Sequence, residues 1–191
     1  MQQFAQMKLQ LYKPINDSII HAYTSILTSQ FPNVKTVDTT FSRDLFRHDW
    51  IHSYNKYFLH SSSSKYAKRT KTKPNLDHPI ILMPFYIMDS HWVALVRRKF
   101  DDRIHFFYSD HMNSSNTTHL IQQHISPLKS SKEFYPSNAM WHNCPSYTYL
   151  PHSNECGPRT LLALSVFALH PNPSQNMLLP YMNSNITQIT H

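Results

Sequence analysis

Apolar and polar positions alternate with two different periods along the chain, and the change of period divides it. In "NDSIIHAYTSILTS" (16–29), Ile19, Ile20, Tyr23, Ile26 and Leu27 recur at helical spacing, with Asn16, Asp17 or Ser18 available as N-cap. A second helical pattern runs through "FSRDLFRHDWIHSYNKYFLH" (41–60), where Leu45, Phe46, Trp50, Tyr54, Tyr57 and Phe58 share a broad face. The pattern then shortens. "HPIILMPFYI", "HWVALVRRKF" and "RIHFFYSD" are brief apolar runs rich in β-branched and aromatic residues, as buried strands are, with Asp101 and Asp102 placed at a turn. A short helix is predicted around "NTTHLIQQHI", followed by a weakly patterned stretch to about residue 147. From Cys156 or Gly157 onward, Leu161, Leu162, Leu164, Val166 and Phe167 are too continuously apolar for a surface stripe. They predict a helix buried on most sides and stopped by "HPNP" (170–173). "MLLPYMNSNITQITH" allows one more interrupted helix. Helices first, strands in the middle and a buried helix late predict an α+β fold.

Composition narrows the class. The chain has 191 residues, 40% hydrophobic and 13% aromatic, enough for a real core in one domain spanning 1–191. No apolar run approaches the roughly 18 residues that span a bilayer, so no membrane partner is expected. "MQQFAQMKLQ" lacks the layout of a secretory signal. Two cysteines make no disulfide framework, and the expectation is a reducing compartment, nucleus or cytoplasm, with both thiols free. The formal charge of +7 is partly local: "HSSSSKYAKRTKTKPNLDHP" (60–79) carries Lys65, Lys68, Arg69, Lys71 and Lys73. This segment reads as a solvated loop insertion, with nucleic-acid binding or nuclear import as the alternative.

Average usage would place roughly 13 glycines in such a chain, yet the sequence contains only Gly157, directly after Cys156. A cysteine at the start of a buried helix sits where helix N–H groups and the helix dipole favour thiolate over thiol. A glycine beside it gives clearance for another backbone and permits a tight turn into the helix. A buried structural cysteine beside a turn glycine is the alternative. A nucleophilic thiol also needs a base with an orienting acceptor. Among 14 histidines, His91 stands out because it opens an apolar strand, while Asp110 closes the next one. Neighbouring strands would bring them together through a bond from Nδ1–H to the carboxylate. His105 and His111 remain rivals for the base.

The order His, Asp, Cys, in "HWVALV", "HFFYSD" and "NECGPRTLLAL", resembles the ubiquitin-like-protein-specific (SUMO/sentrin) cysteine protease family of the adenovirus-protease-like group. The intervals 91 to 110 and 110 to 156 are of the family's size. "INDSIIHAY" is similar to its first helix, although Pro14 stands about where a Trp is usual. The likeness runs from about residue 12 to 170, and such domains also occur in mobile elements. It implies a papain-like α+β fold with a mixed or antiparallel central sheet and the nucleophile at the N-terminus of a buried helix. It further implies a cysteine-type peptidase or isopeptidase with Cys156 as nucleophile, His91 as base and Asp110 orienting the imidazole. Trp92 and Gly157 would line the substrate channel, the backbone N–H of Cys156 would be one oxyanion donor, and no cofactor is needed. The partner would be a ubiquitin-like modifier, its conjugates or a polyprotein.

Two departures from this pattern stand in the sequence. Where the family has an oxyanion glutamine, six residues before the cysteine, the chain has Leu150, leaving His152 and Asn154 as candidate donors. A catalytically inactive relative that binds a modifier or nucleic acid is therefore the alternative function. Separately, His142, Cys144, His152 and Cys156 supply four zinc-type ligands, but their spacing matches no common finger, and no metal site is expected.

Overall fold

The computed structural model describes residues 15–47, 76–87, 91–110, 115–126, 131–144 and 156–170. Helix α1 spans Asp17–Gln30, and Asn16 caps it, its side chain accepting from the Ile19 N–H at 3.1 Å. Strand β1 (Val34–Thr36) and helix α2 (Thr40–Arg47) follow. The three apolar runs form β2 (Ile80–Ile87), β3 (His91–Phe100) and β4 (Arg103–Ser109). Helix α3 (Ser115–Ile125), strand β5 (Met140–Asn143) and helix α4 (Cys156–Leu169) complete the described elements.

The strands make one mixed sheet in the order β1-β2-β3-β4-β5. Its centre is antiparallel, and β1 and β5 add in parallel at the two edges. Phe100 pairs with Arg103 across a two-residue turn in which Asp101 and Asp102 have φ of 47° and 55°. Both are left-handed, as a type I′ hairpin demands, and aspartate tolerates that region where most L-residues do not. Pro84 lies inside β2, where a missing N–H would normally break a ladder. The pairing with β1 ends at Leu82, however, and the Tyr86 N–H on the same edge donates to Ser42 Oγ at 3.0 Å rather than to a strand. Proline therefore falls where β2 has no strand neighbour on that side.

Strand alternation gives the sheet two apolar faces, each with its own core. One packs Ile81, Met83, Phe85, Leu95 and Phe106 with Phe41 of α2, Ile121 of α3 and Phe134. The other packs Leu82, Ala94, Val96 and Phe107 with Leu27 of α1 and with Ala163, Leu164 and Phe167 of α4. Helix α4 is buried along almost its whole length, as its unbroken apolar run predicts. Ser165 Oγ donates to the Leu161 carbonyl at 2.8 Å, so the Tyr23 hydroxyl, 2.6 Å away, must donate to Ser165 and ties α1 to α4. Arg97 is buried inside β3 and is satisfied by the carbonyls of Leu76, Glu133 and Phe134.

The α+β architecture is as expected from the sequence. The second helical pattern is a helix only to Arg47 among the described residues, and its continuation lies outside them. Lys65 to Lys73 of the basic segment and the expected C-terminal helix also lie outside the described residues.

Candidate active site

Cys156 is the first residue of α4, so its N–H has no acceptor within the helix and the positive end of the helix dipole surrounds its side chain. Its sulfur lies beside the start of β3, where the backbone N–H groups of Trp92 and Gly157 both point at it. His91 opens β3 and is largely buried. Its Nε2 lies 2.7 Å from Oδ1 of Asp110, which stands one residue past the end of β4. The imidazole is hydrogen-bonded to the Cys156 side chain as well. The fold thus joins Cys156, His91 and Asp110, which the sequence separates widely.

The ring is turned opposite to the sequence expectation, with Nε2 rather than Nδ1 facing the carboxylate. The reason is positional. The sulfur sits close to the β3 backbone, within reach of the Trp92 N–H, and Nδ1 is the ring nitrogen nearest the backbone. The far nitrogen is left to reach across to the neighbouring strand.

Electrostatics follow from these contacts. Burial alone would lower the His91 pKa, but the bonds to Asp110 and Cys156 and the charges of both raise it to about 9. Burial alone would raise that of Cys156. The His91 bond, the Trp92 N–H, the imidazolium charge and the Gly157 N–H together bring it below the ordinary thiol value. Both shifts act toward a thiolate facing an imidazolium, and the thiolate is the nucleophilic form of cysteine.

Trp92 and Gly157, expected to line the substrate channel, are both packed against Ile15. Trp92 is 3% exposed, stacks obliquely on Tyr86 with centroids 4.8 Å apart, and donates its indole N–H to the Ile15 carbonyl at 3.0 Å. A Cβ built on Gly157 would meet Ile15 Cβ at 2.7 Å. The clearance read from the glycine exists, but a side chain of the protein fills it. Ile15, which sequence reasoning missed, packs with Ile20, Trp92, Cys156 and Leu161 in a small core beneath the nucleophile. Its only signal was its place just before the α1 cap.

The rival histidines separate. His105 lies within β4 opposite Arg98, toward the other end of β3 from His91, and its Nδ1 is 2.9 Å from His142 Nε2. His111, Leu150, His152 and Asn154 lie outside the described residues. Of the four zinc-type ligands, His142 stacks on Phe107, Cys144 is buried in the core that includes Phe107, and Cys156 bonds His91. Among the described residues, no three His, Cys, Asp or Glu side chains gather to hold a metal ion, and no helix is long and apolar enough to cross a membrane.

Comparison with known proteins identifies the family and the fold. The sequence profile of the Ulp1 protease family, C-terminal catalytic domain, matches residues 13–189. A structure of SUMO protease Ulp1 with its catalytic cysteine oxidised to a sulfenic acid superposes with a TM-score of 0.64 at 14% identity, covering 96% of this chain and 81% of that one. The C-terminal Ulp1 protease domain in complex with Smt3, the yeast ortholog of SUMO, gives 0.62 at 16% identity over 98% and 80% of the two chains. The Xanthomonas campestris effector XopD bound to ubiquitin gives 0.57 at 15% identity over 91% of each. These likenesses are of fold. No curated protein is significantly similar by sequence.

Proposed function

The chain belongs to the Ulp1 protease family of cysteine peptidases, and on that footing we propose that Cys156, His91 and Asp110 are its catalytic group and that it cleaves after the tail of a ubiquitin-like modifier. The observation that carries this reading is the unbroken chain of hydrogen bonds from Cys156 through His91 to Asp110. The Cys156 thiolate attacks the carbonyl carbon of the scissile bond while Asp110 holds the imidazolium in place. Nδ1–H of His91 then protonates the departing amine, leaving a thioester. A water deprotonated by the now neutral His91 hydrolyses it, releasing the carboxylic acid and restoring the thiolate beside the imidazolium. The Cys156 N–H donates to the oxyanion, and a second donor comes from "LPHSNE", with His152 favoured over Asn154. His152→Ala should accordingly lower turnover by at least about tenfold, leaving alkylation of Cys156 intact.

Similar folds bind SUMO in one case and ubiquitin in another, which makes modifiers of this kind the substrates to test first. In this reading residues 1–191 form one catalytic domain with the basic segment as an insertion. A nuclear or cytoplasmic setting suits its two free thiols. Leu150, where the family carries a glutamine, favours a second reading, an inactive relative that binds a modifier or nucleic acid. Incubation with SUMO and ubiquitin carrying a C-terminal electrophile separates the two. A covalent adduct mapped to Cys156 is expected. Modifier binding without an adduct would establish the inactive relative instead.

A further inference from the structure

Asp110 is held at both carboxylate oxygens. Oδ1 faces His91, and Oδ2 accepts from the Tyr108 hydroxyl at 2.9 Å. Tyr108 and Asp110 are among the most deeply buried residues, with 1% and 2% of their surfaces exposed. The phenol has one proton and gives it to Asp110, so its hydrogen bonds with the side chains of Thr117 and Thr118 must run from the threonine hydroxyls to its oxygen. The donors therefore all point one way, from α3 through Tyr108 to the carboxylate. Burial, with the charge of Asp110, keeps the phenol protonated and fit to donate.

Neighbouring positions show that packing alone does not call for a hydroxyl here, since residues 106 and 107 of the same strand are phenylalanines. Tyr108 is also the better-anchored partner. Its backbone pairs with Leu95 on one side and Asn143 on the other, and its carbonyl accepts from the Cys144 N–H at 2.7 Å. Asp110 stands past the last paired residue of β4, Ser109. One bond to His91 fixes how far the carboxylate lies from the ring but leaves its plane free to turn, because the terminal torsion of aspartate is broad. A second donor fixed to the sheet removes that freedom and favours the ionised form of a carboxylate taken out of water.

We propose that Tyr108 is a positioning residue for the reaction. Its hydroxyl, braced by Thr117 and Thr118, sets the orientation and charge of Asp110 and so of the imidazole that activates Cys156. This rests on the catalytic reading of Cys156, His91 and Asp110 given above.

The test compares wild type with Tyr108→Phe, Asp110→Asn and the double variant Thr117→Val, Thr118→Val. Two readouts apply: the pH dependence of iodoacetamide alkylation at Cys156, and turnover of a SUMO C-terminal aminocoumarin amide. In Tyr108→Phe the alkylation midpoint should rise by about one pH unit. Its kcat should fall about tenfold with KM little changed. The threonine variant should move both readouts the same way by less, and it carries the test if Tyr108→Phe does not fold. An unchanged midpoint in both, with only a lower melting temperature, would make Tyr108 merely structural and overturn the inference. If Asp110→Asn raises the midpoint while Tyr108→Phe does not, the catalytic reading stands and the inference falls. If Asp110→Asn also leaves it unchanged, both fall.

Discussion

Cys144 and Cys156 are buried almost equally, at 3% and 7% exposure, yet their surroundings drive their thiols in opposite directions. Cys144 follows β5 directly and lies among Phe107, Ala163 and Phe167, where burial has nothing to oppose it, and its pKa is pushed up to about 12. Burial acts in the same sense on Cys156. There the imidazole, two backbone N–H groups and the imidazolium charge outweigh it. Exposure therefore does not distinguish the two thiols. Aimed donors do, and they come from a strand start and a helix start that meet only in the folded chain.

Removing each thiol in turn gives the largest expected contrast. Cys156→Ala should abolish cleavage, a loss on the order of 10⁴-fold or more, as when a peptidase nucleophile is deleted. Cys144→Ala should keep kcat and KM and lower the melting temperature by a few degrees, the cost of a small cavity. Steady-state kinetics and calorimetry on both variants check this. Comparable loss of activity in both would erase the distinction.

Gly157 sharpens the contrast from the side of packing. Gly157→Ala should destabilise by about 1–3 kcal/mol, as overpacking does, and should disturb the N–H that faces the sulfur. The obstructing atom is Ile15 Cβ itself, at 2.7 Å. Ile15→Gly removes it, so the double variant should lose less stability than the sum of the two single changes. Urea unfolding of wild type, the two single variants and the double variant is the measurement, and full tolerance of Gly157→Ala would contradict the packing.

The smallest effect concerns pH. The folded His91 pKa of about 9 lies above its ordinary 6.5. Its contribution to stability is thus complete below about pH 6.5, and it is lost as pH rises through about 9. Cys156 is lowered from 9.0, so its contribution is present above that value and is lost as pH falls through the folded one. Between pH 6.5 and 9 the loss of the His91 contribution and the gain of the Cys156 contribution oppose each other, so the melting-temperature gap between wild type and His91→Gln should change little there. A gap that closes or widens steeply over this interval would contradict the paired assignment.

Much of this arrangement was legible in the sequence where a signal is local. The spacing of Ile20 and Leu27, the Asn16 cap and the apolar runs of β2 to β4 each lie within one short window. Likewise His91, Asp110 and Cys156 stand at element ends, where functional groups can face a cleft. The edge strands were missed. β1 has three residues and β5 four, too few for alternation to register. β5 is fixed by remote partners, with Trp141 stacked on Phe106 at 5.7 Å. The imidazole orientation depends on where sulfur and carboxylate fall around one ring, and no sequence window contains all three. Gly157 showed that something must approach it, while Ile15 comes from the other end of the described chain.

The most direct measurement is competitive alkylation. Limiting iodoacetamide at neutral pH, with both cysteines mapped by mass spectrometry, should label Cys156 in strong preference to Cys144. His91→Ala should slow the labelling of Cys156 by about tenfold or more without unfolding the protein, while Cys144 stays suppressed by its burial. Equal labelling in the wild type, or a Cys156 labelling rate unchanged by loss of His91, would contradict an activation of the thiol by its imidazole partner.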